Sequence, residues 1–461
     1  MIQVAVREAL VNTRLWLAAG PLLALSTALM VIIFSVEVPE ANTTELPHTP
    51  SIDPTEATML ALTMLATMAT LAVTVDRAVA HTRPRFAKYE LAGMTPSGAR
   101  TLLQQQVTVM TGVSVLAGLI MSVFLDKPMY ELMSKVGAVH RPVEGAIHAY
   151  SLVGAAIVGT GLALIASAPA AKLAQSIYPV EAIKVRPPTQ SSQSRGLRVA
   201  AVVTWALALV ACLLTVLAPR FGATTHPVES ANEVATFGGL HTLALAGALA
   251  LTARSYCPKL IRLWTAVVPE RYLPTAFLGR RGAAYQAGRS LEAFNMVLVG
   301  ALLAGAASSI YYARSDLDPA GHGWVAARDM TAAFLTGVPL ALVLVGAVVT
   351  TVVTTRSRFR EVQTLRLAGA TAWQVMVAGF FEAAILAVTA LAVAAAGVAW
   401  VAVSVGVGMS GIPGSQGWPG SIGWGIPVWG IPLAVAAFGA LLFAACALPS
   451  VFRGLRRPII S

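Results

Sequence analysis

Residues 376–404 read MVAGFFEAAILAVTALAVAAAGVAWVAVS. The run holds a single charged residue, Glu382, and exceeds the roughly 20 apolar residues that cross a bilayer as a helix. Nine other apolar runs lie near 16–36, 57–76, 106–125, 147–168, 198–218, 235–253, 291–312, 331–354 and 426–447. The whole chain agrees with them: 56% of its 461 residues are hydrophobic, only 11% are charged, and mean hydropathy is +0.72. A soluble domain of this length needs far more polar surface. The expected fold is therefore all-α, a polytopic helical membrane protein with about ten spans.

Arg7 and Arg14 precede the first run, as in a signal peptide, but the run is long and Ser35, Val36, Glu37 and Val38 follow where a small-residue cleavage site belongs. It reads as a retained anchor. The net charge of +11 raises nucleic acid as a partner, and its distribution argues against one. With the N-terminus inside and ten alternating spans, only Lys127, Lys135, Arg141, Arg220, Arg314 and Arg328 of the 32 Lys and Arg residues fall outside. Loop 37–56 carries Glu37, Glu40, Glu45, Asp53 and Glu56 and no base. This is the positive-inside pattern, and such a basic face also suits anionic lipid headgroups. Cys212, Cys257 and Cys446 suggest no disulfide framework or metal set.

The chain echoes itself. After the second span it reads Arg83-Pro84-Arg85-Phe86, a short segment, then Leu91-Ala92-Gly93-Met94-Thr95. After the eighth it reads Arg356-Ser357-Arg358-Phe359, a longer segment, then Leu367-Ala368-Gly369-Ala370-Thr371. Each echo leads into an apolar helix. Pro169 and Lys172 after the fourth span are matched, in shortened form, by Pro449 and Arg453 after the tenth. Two four-helix units of the same orientation follow, residues 1–184 and 254–461, with a linker and spans five and six between them at 185–253. Segment 185–197 is polar and linker-like. Region 254–290 interleaves bases with Leu260, Ile261, Leu263 and Trp264; a helix lying in the interface and an ordinary cytosolic helix both fit it.

Residues 356–375, with Glu382 early in the next span, resemble the signature of FtsX-like permeases: a basic run, a Glu, "LRALGA", a polar turn and a Glu. Segment 83–106 is similar but weaker, with Gln106 where the second half has Glu382, and Tyr178-Pro179-Val180-Glu181-Ala182-Ile183-Lys184 resembles the family's tail. The resemblance covers essentially the whole chain and is closest to the MacB-type, ten-span form. It implies a membrane-spanning permease subunit of an ABC transporter, not itself an enzyme, in a bacterial cell membrane with both termini cytoplasmic. The partners it implies are an ABC ATP-binding subunit in two copies, which would hold ATP and Mg, and membrane lipid. The chain lacks the G-x-x-x-x-G-K-[ST] loop of a nucleotide site, so no cofactor is expected within it.

The residues that would couple such a partner to the membrane are Arg85, Glu90, Gly93, Met94, Thr95 and Arg100 in the first half, and Arg358, Arg366, Gly369, Thr371 and Gln374 in the second. Gly369 suits a turn that other residues resist, and Thr371 suits a helix cap. The arginines serve equally as topology anchors. Glu382 is the intramembrane candidate, because an ionisable group in lipid is costly; a place at the interface or beside an Arg is the plainer reading. Two functions fit: moving a hydrophobic or amphipathic substrate such as a lipid or antimicrobial peptide, and non-transporting signalling to an envelope partner. Short external loops favour the first. Thr371→Cys is expected to react with a membrane-impermeant maleimide only from the cytoplasmic side; labelling of intact cells at this position would overturn the topology.

Overall fold

The structure, a computed structural model, describes residues 13–36, 89, 91–136, 147–175, 195–221, 227–266, 274–286, 291–315, 364–413 and 415, together with positions 64, 67, 68, 71 and 75. The expected spans at 331–354 and 426–447, most of 57–76, Cys446 and the segment 178–184 lie outside them. Every regular element among the described residues is helical: α1 (Thr13–Val36), α2 (Pro96–Val136), α3 (Ala149–Gln175), α4 (Arg195–Phe221), α5 (Pro227–Thr265), α6 (Pro274–Gln286), α7 (Leu291–Ser315) and α8 (Ala372–Met409). Inside a bilayer no water satisfies the backbone, so an apolar run closes its hydrogen bonds within itself as a helix. Six stretches are long and apolar enough to cross: Arg100–Met129, Ala149–Ala168, Arg198–Arg220, Glu229–Thr265, Phe294–Ala313 and Trp373–Met409. The protein is a polytopic helical membrane protein.

The chain divides into two compact units, residues 1–193 and 194–461. In the first, α1, α2 and α3 pack on one another. Gly20 faces Ser114, and Gly118 faces Ala24 and Thr27, so α1 and α2 run parallel. Ser35 hydrogen-bonds Ser151 across 3.0 Å while Gly159 faces Thr27, so α3 runs antiparallel to α1. Leu23, Leu102, Leu103, Val107, Val115, Ala163 and Ala166 form the core with Leu71 and Val75. With lipid outside, apolar burial drives little of this packing, and small residues that let backbones approach take its place. A Cβ on Gly118 would stand 2.5 Å from the Ala24 carbonyl oxygen and 2.8 Å from Thr27 Cβ.

In the second unit α8 is the central helix, packed by α4, α5, α6 and α7. Gly397 of α8 faces Leu302 of α7 and Leu245 and Leu249 of α5, and Gly238 faces Val405 and Ile310. α7 and α8 thus run parallel and α5 antiparallel to both. α5 continues unbroken through residue 254, so the first part of the basic region 254–290 belongs to the sixth span's own helix.

The register sets the levels of these helices against one another. Gly247 of α5 faces Thr204 of α4, which brings exposed Arg198 and exposed Arg254 to one level. Exposed Arg220, Glu229 and Glu233 mark the opposite limit. Between the arginines α4 counts 23 residues, about 34 Å of helix, close to the roughly 30 Å of a hydrocarbon core. His241 Nδ1 stands 3.1 Å from Ser404 Oγ, and the same register puts Arg254 level with Thr389 and Ala390. α8 has 38 residues, about 57 Å. Its first half, 372–389, therefore extends roughly 27 Å beyond the Arg198–Arg254 limit.

Gly118→Val is expected to lower the melting temperature of the purified protein by forcing α1 and α2 apart, a cost of about 1–3 kcal/mol. Exposed Gly112, with nothing within 4 Å of its would-be Cβ, is expected to accept Val without loss. Equal melting curves for the two variants would contradict the close approach of α1 and α2.

Candidate functional site: two turn-and-cap elements

Each echo builds the same small structure. Residues 364–367 are helical, and this short helix ends at Gly369, whose φ is +89°. The Gly369 N–H donates to the Arg366 carbonyl at 3.0 Å and the Ala370 N–H to the Leu365 carbonyl at 3.0 Å. This is the Schellman closure, in which a left-handed glycine lets two amides turn back onto the helix's last carbonyls. Two residues later Thr371, extended at φ −71° and ψ 156°, starts α8. Its Oγ1 accepts from the Gln374 N–H at 3.3 Å, and its own N–H donates to Gln374 Oε1 at 2.9 Å. The reciprocal pair is a capping box.

The first echo repeats it. Gly93 has φ +96°, and the Met94 N–H donates to the Tyr89 carbonyl at 2.9 Å. Thr95 Oγ1 accepts from the Gly98 N–H at 3.2 Å, and α2 begins at Pro96, a residue suited to the first helical position because it has no N–H to satisfy. The copies differ where Gln374 gives way to Gly98: without a side chain there, the second limb of the box is missing.

The turns are exposed at Gly93, Thr95, Gly369, Thr371 and Gln374, while Met94, Arg100 and Arg366 are half-buried. Arg85, Glu90 and Arg358 lie outside the described residues. The structure adds apolar residues that the charge-led reading passed over. Leu91 and Leu367 occupy equivalent places two residues before the glycine, and are 64% and 72% exposed; Trp373, in the first turn of α8, is 67% exposed. The signal was present in the repeated Leu-Ala-Gly, where the leucine recurs as faithfully as the glycine.

Eleven residues beyond each capping threonine comes a buried polar side chain, Gln106 in α2 and Glu382 in α8. Glu382 lies on the extension of α8 beyond the Arg198–Arg254 limit, where α6 crosses it. α6 approaches through its glycines: a Cβ on Gly279 would stand 2.6 Å from Phe381 Cβ and 2.9 Å from the Ala378 carbonyl oxygen, and one on Gly282 3.5 Å from Glu382 Oε2. Among the described residues no group of three or more His, Cys, Asp or Glu side chains is placed to take a metal ion.

The left-handed turn demands its residue by conformation alone, since nothing lies within 4 Å of a Cβ on Gly369. Gly369→Val is expected to strain the turn by about 1–2 kcal/mol, and Gly369→Asn to be tolerated, because Asn visits this region. Thr371→Ala is expected to remove about 1 kcal/mol of capping. Hydrogen exchange of amides 372–375 checks both: it rises in the Val and Ala variants and stays near wild type in Gly369→Asn and Thr371→Ser.

Residues 333–459 match the family model described as FtsX-like permease C-terminal. No curated protein matches the chain. The matched stretch holds the second turn, its capping box, α8 and Glu382. Residues 333–459, within the second unit, are therefore similar to the C-terminal region of FtsX-like permeases, a family of membrane permease components.

Proposed function

We propose that the chain is the membrane-spanning permease subunit of an ABC transporter, in the MacB-type ten-span form. In this reading a separate ATPase, holding ATP and Mg, docks on the two turn-and-cap elements, and its closure moves α2 and α8. The observation that carries the proposal is the recurrence of one closure and one cap, Gly93–Thr95 and Gly369–Thr371, with the second copy inside the matched stretch. A transmitter of force needs a short rigid element joined to a long helix without slack. The left-handed glycine and the threonine cap supply that junction, and the 38 residues of α8 supply the lever.

Two such elements in one chain call for two ATPase subunits. The elements are not identical: Glu90 and Arg366 precede Leu-Ala-Gly with opposite charge, and only the second copy has its full capping box. One ATPase then docks more tightly than the other. The division into units 1–184 and 254–461 joined by 185–253, cytoplasmic termini and a bacterial cell membrane complete the proposal. The cargo is a hydrophobic or amphipathic molecule reached from the bilayer.

Leu91→Asp and Leu367→Asp, at exposed positions, are expected to leave insertion and abundance unchanged while reducing co-purification of the ATPase and its stimulated hydrolysis. Arg366→Glu should act the same way, with a cost of roughly 2–5 kcal/mol if the charge is buried at the interface. Arg195→Glu, in the linker, should have little effect. Full assembly and hydrolysis in the three turn variants, with loss in Arg195→Glu, would overturn the assignment. Two permease chains per ATPase dimer in the purified complex would overturn the stoichiometry.

A further inference from the structure

Three helices bring one imidazole and two indoles together inside their apolar spans: His241 of α5, Trp205 of α4 and Trp400 of α8. His241 is fully buried, midway along α5 between Glu229 and Arg254. Its Nδ1 stands 3.1 Å from Ser404 Oγ. The Ser404 hydroxyl donates to the Val401 carbonyl at 2.8 Å, so the serine oxygen accepts from the imidazole and Nδ1 carries the ring hydrogen. In the neutral ring Nε2 is then a bare acceptor. It is buried with no hydrogen-bond partner.

Trp400 lies between the imidazole and the second indole. Its ring is T-shaped to His241, with centroids 5.8 Å apart, and stacks on Trp205 at 6.3 Å. The indole of Trp264 finds a partner, donating to Thr389 Oγ1 at 3.0 Å. The indole N–H groups of Trp205 and Trp400 find none among the described residues. Trp400 is 38% exposed and Trp205 half-buried. Hydrocarbon offers neither donor nor acceptor, and a polar group left unpaired there costs free energy. One small patch thus holds two idle donors, one idle acceptor and two flat ring faces.

We propose that this patch binds a lipid-soluble aromatic alcohol from the bilayer, a flat ring carrying a phenolic hydroxyl. A hydroxyl both donates and accepts. Its hydrogen goes to His241 Nε2, its oxygen takes an indole N–H, and its ring stacks on the tryptophans. A plain acyl chain would leave all three polar atoms idle, and a carbonyl would leave Nε2 bare. An ionised ligand would find no counter-charge, because stretches 199–219, 235–253 and 383–409 hold no Asp, Glu, Lys or Arg. Nε2 has no exposed surface, so the hydroxyl reaches it as the Trp400 indole turns aside, and the free side of that ring gives it room. As a site for cargo the patch rests on the transport reading. Binding itself needs no ATPase, so its failure leaves the docking of the ATPase untouched, and failed docking leaves the binding untouched.

The test uses the full chain alone in phosphatidylcholine nanodiscs, with 2-naphthol, its methyl ether 2-methoxynaphthalene, and naphthalene as probes. Saturable binding is measured above that of empty nanodiscs, and each affinity is referred to the probe's concentration in the bilayer. The wild type is expected to bind 2-naphthol several-fold more tightly than the ether, the value of one hydrogen bond, and the ether more tightly than naphthalene. His241→Phe should bring 2-naphthol down to the ether and leave the ether unchanged. Trp205→Phe combined with Trp400→Phe keeps aromatic rings in place and should weaken both oxygen-bearing probes alike. Nitrogen NMR of the imidazole checks the same contact in the unaltered chain: the His241 Nε2 resonance should move with 2-naphthol and stay with the ether. Equal wild-type affinity for 2-naphthol and its ether overturns the proposal. So does an intact preference in a His241→Phe variant that melts like the wild type.

Discussion

Every backbone amide and carbonyl within a bilayer must find its partner inside its own helix, and this requirement shapes the rest of the structure. It makes the described residues all helical, and it makes helix ends the places where polar backbone has to be dealt with by other means. At Gly93 and Gly369 the last carbonyls of a short helix are closed by amides turned back through a left-handed residue. At Thr95 and Thr371 the first amides of the next helix are closed by a side-chain oxygen. Between the two closures lies one residue, Met94 or Ala370. The junction therefore has almost no freedom.

The two copies reach this geometry with different residues. The glycine and the threonine are common to both because each does something few side chains can: adopt positive φ without strain, or accept from the backbone at a helix start. Elsewhere the copies have drifted. Gln374 reciprocates the cap and Gly98 cannot. Glu90 stands where Arg366 does. Leu91 and Leu367 stay the same and stay exposed.

Depth assigns different jobs to parts of a single helix. α8 reads as one apolar run, but the register with α5 divides it. Its later half lies between the level of Arg198 and Arg254 and that of Arg220 and Glu233. Its earlier half stands beyond them, packed by α6 and by Trp264 at the end of α5. Glu382 belongs to this earlier half, so its burial is by protein: α6 lies over it through Gly279 and Gly282. The glycines that admit α6 play the part that Gly118 plays between α1 and α2.

The sequence by itself determined that the chain is helical and membrane-spanning, because span length and apolar composition follow directly from bilayer thickness. It also determined the turn at Gly369 and the cap at Thr371, since both are local and depend on residues within a few positions of one another. It did not show the capping box as a reciprocal pair, the exposure of Leu91, Leu367 and Trp373, or the crossing of α6 over Glu382. Exposure and crossing depend on which helices are neighbours, and that follows from contacts between residues far apart in the chain, such as Gly279 with Phe381 or Trp264 with Thr389. Region 254–290 left an interfacial and a cytosolic helix equally open, because amphipathic pattern carries no depth. Only the tertiary structure supplied relative levels, through the antiparallel register of α5 on α8.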